Sequence, residues 1–460
     1  VSDRLDLLAR FPRLKVTLKS RLWQPAGMLL TLGFFVLAIL TGLFGTPAGA
    51  RNFGIIFVWI VWWALLIVGL VPFFGRLWCA VCPIPAPGEW LQRRAIVRRA
   101  PGKPRSLGWR WPRRLRNIWL QNAGFLLVAL FSAVILTHPL VSGGVLLGFV
   151  LLGVLLSLLY ANRIFCRYVC PVGGFIGLYS LAAPLELRVK DTAVCQAHSS
   201  KDCVAGTADS YGCPWLVYPG ALRRNAYCGL CGECLRACPK DNLALNLRPP
   251  GSDLLVAGER RLDEAYKALI MLACALLYSA VLLGPWGWVK DLANMKMLGG
   301  WALYAAGFLA ANLLVLPGLF GLATALARRW GGLTTPLPRL FVDYAYGLAP
   351  LGLAGWIAFS LSFVFVNGSY VLPVLSDPFG WGWDLFGTAH LPWQPILPGL
   401  VPALQVIVLL LGLAFSITVA YRIARQLGPA SLAERVWRGT LPVAGFMAGV
   451  TLLFLWLYLG

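Results

Sequence analysis

The chain has 460 residues, 59% of them hydrophobic and 13% charged, with a formal charge of +22 and a mean hydropathy of +0.73. Its apolar residues fall in runs of about 20, long enough to cross a bilayer as helices with every backbone group paired internally, which excludes a soluble core. The basic excess excludes a nucleic-acid reading, because it sits beside the ends of those runs.

Apolar runs and basic flanks together predict nine helices, at 25–45, 53–74, 118–138, 143–160, 265–283, 301–327, 342–366, 396–421 and 441–459. The stretch before the first run carries charges where a cleaved signal would have its apolar segment, so no cleaved targeting segment is expected. Between Arg93 and Arg116 there are ten Lys or Arg and no acid. That pattern places the loop on the cytoplasmic side, and topology explains it better than docking of an acidic partner or anionic lipid. Similar clusters before the first helix, after the fourth, around Arg328 and Arg329, and around Arg422 to Arg438 leave the C-terminus external. Trp381, Trp383 and Trp393 then fall in an external loop as interfacial anchors.

The fold class expected is mainly α: a polytopic membrane protein with a small cytoplasmic ferredoxin-like insert, in an inner cell membrane. Residues 1–165 form two helical hairpins, 166–262 the insert, and 263–460 a five-helix membrane unit. The hairpins end in related motifs, Cys79-x2-Cys82-Pro83 and Cys166-x3-Cys170-Pro171. Arg76 and Arg163 each stand three residues before the first cysteine, which strengthens the parallel.

Of twelve cysteines, eleven lie on the reducing side by this topology, so metal binding is a better default than disulfides. The strongest motif is Cys228-x2-Cys231-x2-Cys234-x3-Cys238-Pro239. Three thiolates on one tight loop hold three corners of an iron–sulfur cubane, while the fourth reaches another cluster; zinc sites favour separated pairs instead. Cys213, before Pro214, fits as the missing fourth ligand. A second cluster would use Cys238 with Cys195 and Cys203, but the insert's seven cysteines cannot fill eight positions. The remaining ligand is His198, Cys166, Cys170, a water or hydroxide, or none; alternatively one cluster forms. Cys79, Cys82, Cys166 and Cys170 make a further set, either a third iron–sulfur centre or redox thiols near a quinone pocket. Cys274, alone in an apolar helix, reads as a small hydrophobe.

These hairpin-end cysteine–proline motifs, followed by a ferredoxin run, resemble the membrane polyferredoxins of periplasmic nitrate and nitrous-oxide respiration (the NapH/NosR type), with relatives in copper-oxidase assembly. The likeness covers roughly the first 260 residues, including Gly212-Cys213-Pro214-Trp215 and the stretch from Asn225 to Asn242; the first hairpin departs from the family's Cys-x3-Cys-Pro. It implies one-electron transfer between the membrane and a partner enzyme.

A quinone or quinol is the expected membrane partner, beside lipid and other redox subunits of a respiratory complex. Gln121, Asn122, Asn312, Gln405, Asp343, Tyr344 and Tyr346 are the polar groups near apolar segments that such a site could use, although helix–helix hydrogen bonding explains each. Haem b is not expected, since His138 and His390 lack a helix-core partner. No bond chemistry is implied. The alternative function is a redox-dependent assembly or regulatory ferredoxin for a metalloenzyme; a transporter with a structural zinc loop ranks third.

Overall fold

The structure is a computed structural model describing residues 4–97, 105–427 and 433–460. Part of the basic loop at 93–116 and of the basic cluster at 422–438 therefore lies outside the described residues. Among the described residues, eight helices are long and apolar enough to cross a membrane: α1 (Trp23–Phe44), α2 (Phe53–Phe74), α4 (Pro139–Leu159), α5 (Leu262–Leu283), α6 (Leu298–Gly331), α7 (Leu337–Ser376), α8 (Pro398–Leu427) and α9 (Glu434–Leu459). The third expected helix, α3, comes in two pieces, Trp119–Leu130 and Ser132–Thr137. They meet at Phe131, whose φ of −95° and ψ of 10° leave the helical region, and whose ring stacks on Trp301 with centroids 5.1 Å apart. At 1.5 Å per residue the two pieces still rise about 28 Å, close to a hydrocarbon core, so the interruption costs little length. The protein is a mainly α, polytopic membrane protein.

Irregular turns punctuate the long helices where the sequence disturbs backbone pairing. A π turn, Ala311–Val315, sits just ahead of Pro317 in α6, and a 3-10 turn, Tyr346–Leu348, just ahead of Pro350 in α7. Proline has no N–H to give the preceding turn, and the backbone rearranges there.

The chain forms two compact units: Val1–Leu37, Gly69–Gln121 and Val145–Asp253 make the first, and Ala38–Val68, Asn122–Gly144 and Leu254–Gly460 the second. In the first unit a three-stranded antiparallel sheet runs in the order β1-β3-β2, from β1 (Leu5–Asp6), β2 (Leu185–Val189) and β3 (Leu243–Leu247). Leu5 faces Leu247, and Leu185 to Val189 pair with Leu247 to Leu243. Alternation sends Leu185, Leu187, Leu243 and Leu245 into one core with Leu8, Leu230, Cys234 and Leu235, and Cys203, Cys228 and Cys238 pack at its edge. The intervening sheet residues carry a buried ion network: Arg248 lies 2.7 Å from Glu186, Arg188 is 3.3 Å from Asp253, and Arg248 also pairs with Asp253. Asp253 accepts the Asn225 N–H at 2.6 Å, and the Asn225 side chain donates to Leu185 O at 2.7 Å, so the network fixes the approach to Cys228.

β1 belongs to a segment that sequence patterning leaves as a charged leader. Beyond the strand, Lys15 and Lys19 reach Asp241 at 2.5 and 3.0 Å. Arg236 donates to Lys19 O and Ser20 O at 2.9 and 2.7 Å. The leader is thus part of the cysteine-rich fold.

In the second unit, Trp356 on α7 is fully buried and meets Trp63, Tyr278 and Phe359 edge-on at 5.5, 5.2 and 6.0 Å. Its indole N–H donates to Met271 O at 3.0 Å, so the largest core side chain of this unit also satisfies its one polar atom.

Candidate metal centres

All twelve cysteines are free thiols, and in the first unit eleven of them gather into three neighbourhoods. Cys213, Cys228, Cys231 and Cys234 line one small apolar cavity of about 20 Å³, together with Trp215 and Gly229. The loop reaches this shape through left-handed residues: Leu230 has φ 51° and Gly232 has φ 76°. A Cβ at Gly229 would stand 2.4 Å from the Trp215 indole nitrogen, so only glycine lets that loop close. Burial pushes the Cys228 thiol up to about 11 and the Cys231 thiol up to about 12, the latter helped by Cys213 and Glu233. Burial and then Cys228, Cys231 and Cys213 push Cys234 well above the ordinary thiol range.

Cys195, Cys203 and Cys238 form the second neighbourhood. Cys203 is raised by burial, then by Cys195 and Cys238. Asn242 serves two of the three sulfurs, donating its backbone N–H to Cys238 Sγ at 3.4 Å and its side-chain amide to Cys195 Sγ at 3.3 Å. His198 ends the helix Thr192–Ala197, with Nε2 3.0 Å from Ser200 Oγ and 3.6 Å from Asp202 Oδ2.

Cys79, Cys82, Cys166 and Cys170 form the third. Burial raises Cys82, followed by Cys79 and Cys170. Burial also raises Cys166, opposed by Arg163 and reinforced by Cys170, Cys82 and Cys79. Cys170 caps the helix Pro171–Tyr179, its sulfur accepting Gly173 N–H at 3.3 Å, which offsets part of the burial that pushes its thiol up to about 11. Gln121 holds the neighbouring turn by donating to Cys166 O at 3.2 Å. The two hairpin motifs therefore meet as one set of four.

The donor chemistry fits iron–sulfur clusters. Buried thiols crowded this way stay protonated unless a cation compensates their charge, and iron does so. Among the described residues no three His, Cys, Asp or Glu side chains converge as a single-ion site requires. The N–H groups aimed at sulfur suit the same assignment: Val217 donates to Cys213 and Asn242 to Cys238, both at 3.4 Å and both four residues past the cysteine of a cysteine–proline pair. Clusters held here would supply one-electron storage, with the protein setting potential through such hydrogen bonds, burial and charge.

Two arginines lie against these sulfurs. Arg163 is buried, donates to Glu89 at 2.6 and 3.1 Å and reaches Cys79 O at 2.6 Å. Arg76 is buried too, donates to Ala226 O and lies 4.3 Å over the Trp215 ring. Their position three residues before each motif was visible in the sequence; where they reach was not.

The remaining polar candidates lie in the second unit. Asn122 donates to Asp263 O at 2.9 Å, Asn312 to Phe308 O at 2.9 Å, and Gln405 to Ala358 O at 2.9 Å. Cys274 donates to Asn312 Oδ1 at 3.3 Å, so it is a small donor as well as an apolar filler. Asp343 pairs with Arg260 and Arg339 at 3.2 and 3.1 Å, and Tyr344 donates to Gly439 O at 3.0 Å. Tyr346 donates to Glu264, which is buried, as is Lys267, and which patterning did not single out. His138 and His390 are both exposed.

Membrane-length helices and these cysteine groups define a ferredoxin-type iron–sulfur protein. A 4Fe-4S binding domain family matches residues 55–104 and 142–186, the two stretches that contain Cys79, Cys82, Cys166 and Cys170. Two relatives are similar over short segments. One is the "Putative electron transport protein YccM" of Escherichia coli (strain K12), 26% identical over 22% of this chain and 26% of that protein. The other is the "Uncharacterized protein MJ0750" of Methanocaldococcus jannaschii, 26% identical over 22% of this chain and 40% of that protein. The match thus spans well under half of either relative. No solved structure matches the chain.

Proposed function

We propose that this protein carries single electrons between a quinone/quinol pool, or a membrane redox partner, and 4Fe-4S clusters held by its first unit, as a subunit of a respiratory complex. The observation that carries the reading is the apolar cavity lined by Cys213, Cys228, Cys231 and Cys234, with the four hairpin cysteines gathered nearby in sequence-related motifs. Thiolates, proline turns and N–H donors of this chain fix and tune the clusters; no residue is asked to make or break a substrate bond. The reading takes the protein to be of the NapH/NosR membrane type, in an inner membrane, with the cysteine-rich face cytoplasmic and the C-terminus external, as the flanking basic residues suggest. Lipid and further redox subunits complete its surroundings.

The test is anaerobic purification with iron and acid-labile sulfide counted per chain, then EPR before and after addition of a short-chain quinol. Sulfide with quinol-reducible signals supports the proposal. Zinc without sulfide would reject it, whereas clusters reducible by dithionite but never by quinol would favour an assembly or regulatory ferredoxin.

A further inference from the structure

Arg76 is 3% exposed, yet it makes no ion pair among the described residues, and its Nε and Nη2 have no hydrogen-bond partner. An uncompensated guanidinium in such a place is costly, by several kcal/mol or more, unless an anion meets it. Its surroundings show where that anion would sit. Nη1 is held by Ala226 O, two residues before Cys228. A Cβ built on Gly173 would lie 3.5 Å from Nη2, and Gly173 is the residue whose N–H already points at Cys170 Sγ. One built on Gly177 would strike Nη1 at 2.8 Å, so this helix face is cleared for the side chain. The Trp215 ring stacks on the guanidinium from the side of the Cys213 loop. The charge of Arg76 acts on Cys170 in one cysteine set and on Cys228 in another, opposing the burial that raises both thiols. Its repeat counterpart Arg163 acts on the same two sets, through Cys166 and Cys231, but it pairs with Glu89, which Arg93 shares, whereas Arg76 pairs with no carboxylate among the described residues.

We propose that Arg76 is the shared counter-charge of two neighbouring cluster sites, Cys79/Cys82/Cys166/Cys170 and Cys213/Cys228/Cys231/Cys234, offering its free N–H groups to their sulfurs and holding both reduction potentials up. The proposal rests on the iron–sulfur reading above. A cluster carried by four thiolates is anionic and gains one more negative charge on reduction, so a fixed positive charge between two such sites favours the reduced state of each. The Cys195/Cys203/Cys238 site, two of whose sulfurs accept from Asn242 instead, serves as an internal reference.

The experiment is an EPR-monitored redox titration of the full detergent-solubilised chain, poised with dithionite and mediators, for the wild type, Arg76→Gln and Arg76→Lys, with iron and sulfide measured on each. Expected is a negative shift of two reduction waves in Arg76→Gln, recovery of most of it in Arg76→Lys, and an unmoved remaining wave. Equal potentials in all three proteins, or a uniform shift of every wave, would overturn the role of Arg76 while leaving the iron–sulfur reading intact. A wild type without labile sulfide would instead reject that reading. Should Arg76→Gln fail to retain iron, the wild type decides the matter. Two centres flanking one side chain show spin–spin interaction when both are reduced, and non-interacting signals at full reduction would refute the arrangement.

Discussion

Arg163 and Glu89 form a buried pair in which one carboxylate oxygen receives two guanidinium N–H groups, at 2.6 and 3.1 Å. Burial by itself would raise the Glu89 carboxyl, but Arg163 and then Arg93 outweigh it and hold the group below its usual range. Such stabilisation is complete above the unfolded value of about 4.3 and is lost as pH falls through the lowered folded value. Glu89→Gln strands the arginine and should cost on the order of 3–5 kcal/mol. Thermal unfolding in detergent checks this: the variant should melt well below the wild type at pH 7, with the gap closing on strong acidification.

The three cysteine neighbourhoods should behave as separate iron sites. Cys82→Ser should remove about four irons per chain and leave the signals of the other groups, and Cys231→Ser should do the same for a different set. Iron and sulfide analysis with EPR reads the outcome. Loss of all iron from either single substitution would show that the sites assemble as one.

Gly229 faces the Trp215 indole so closely that a methyl group has no room, at 2.4 Å. Gly229→Ala should therefore displace the loop carrying Cys228 and Cys231, at about 1–3 kcal/mol, and lower iron occupancy of that set. Gly148→Ala is the matched control, since a Cβ there meets nothing and its backbone is not left-handed. Equal iron in both variants would contradict the cavity described here.

Asp241 joins the leader to the cysteine fold, and hydrogen bonds from Lys15 and Lys19 pull its carboxyl down to about 2. The contribution is present above about 3.9 and disappears as pH falls through about 2. With the carboxylate largely exposed, Asp241→Asn should cost at most about 1 kcal/mol of global stability. Its effect should be local: faster amide exchange across residues 12–19, read by hydrogen–deuterium exchange, with exchange in α5 unchanged.

Patterning located most of the membrane frame because run length and apolar composition are local properties. It overestimated the continuity of α3, where the break at Phe131 is a matter of backbone angles and of a ring partner 170 residues away. The cysteine groups were legible for a related reason: spacing and cysteine–proline pairs report loop geometry directly. What could not be read was anything made by distant pairing. No local signal marks Leu5 as a strand partner of Leu247, Glu89 as the counter-charge of Arg163, or Trp215 as the platform for Arg76. Tyr346 stood out as a polar residue at a helix end, but Glu264 looked like an ordinary acid in a first helical turn until the fold buried both.

The pairing of β1 with β3 imposes an order on biosynthesis. Leu5 is translated some 240 residues before its partner Leu247, which at ribosomal speeds of roughly 5–20 residues per second means a wait of about 12–50 s. During that interval the first four helices enter the bilayer while the leader has no strand to join, and the core that Leu8 shares with Leu230, Cys234 and Leu235 is incomplete. Iron delivered early would meet an open, solvent-exposed set of thiols. Closure of the cysteine-rich core therefore waits on the synthesis of β3, and a bulky fusion ahead of Leu5 should slow maturation more than one placed after α9.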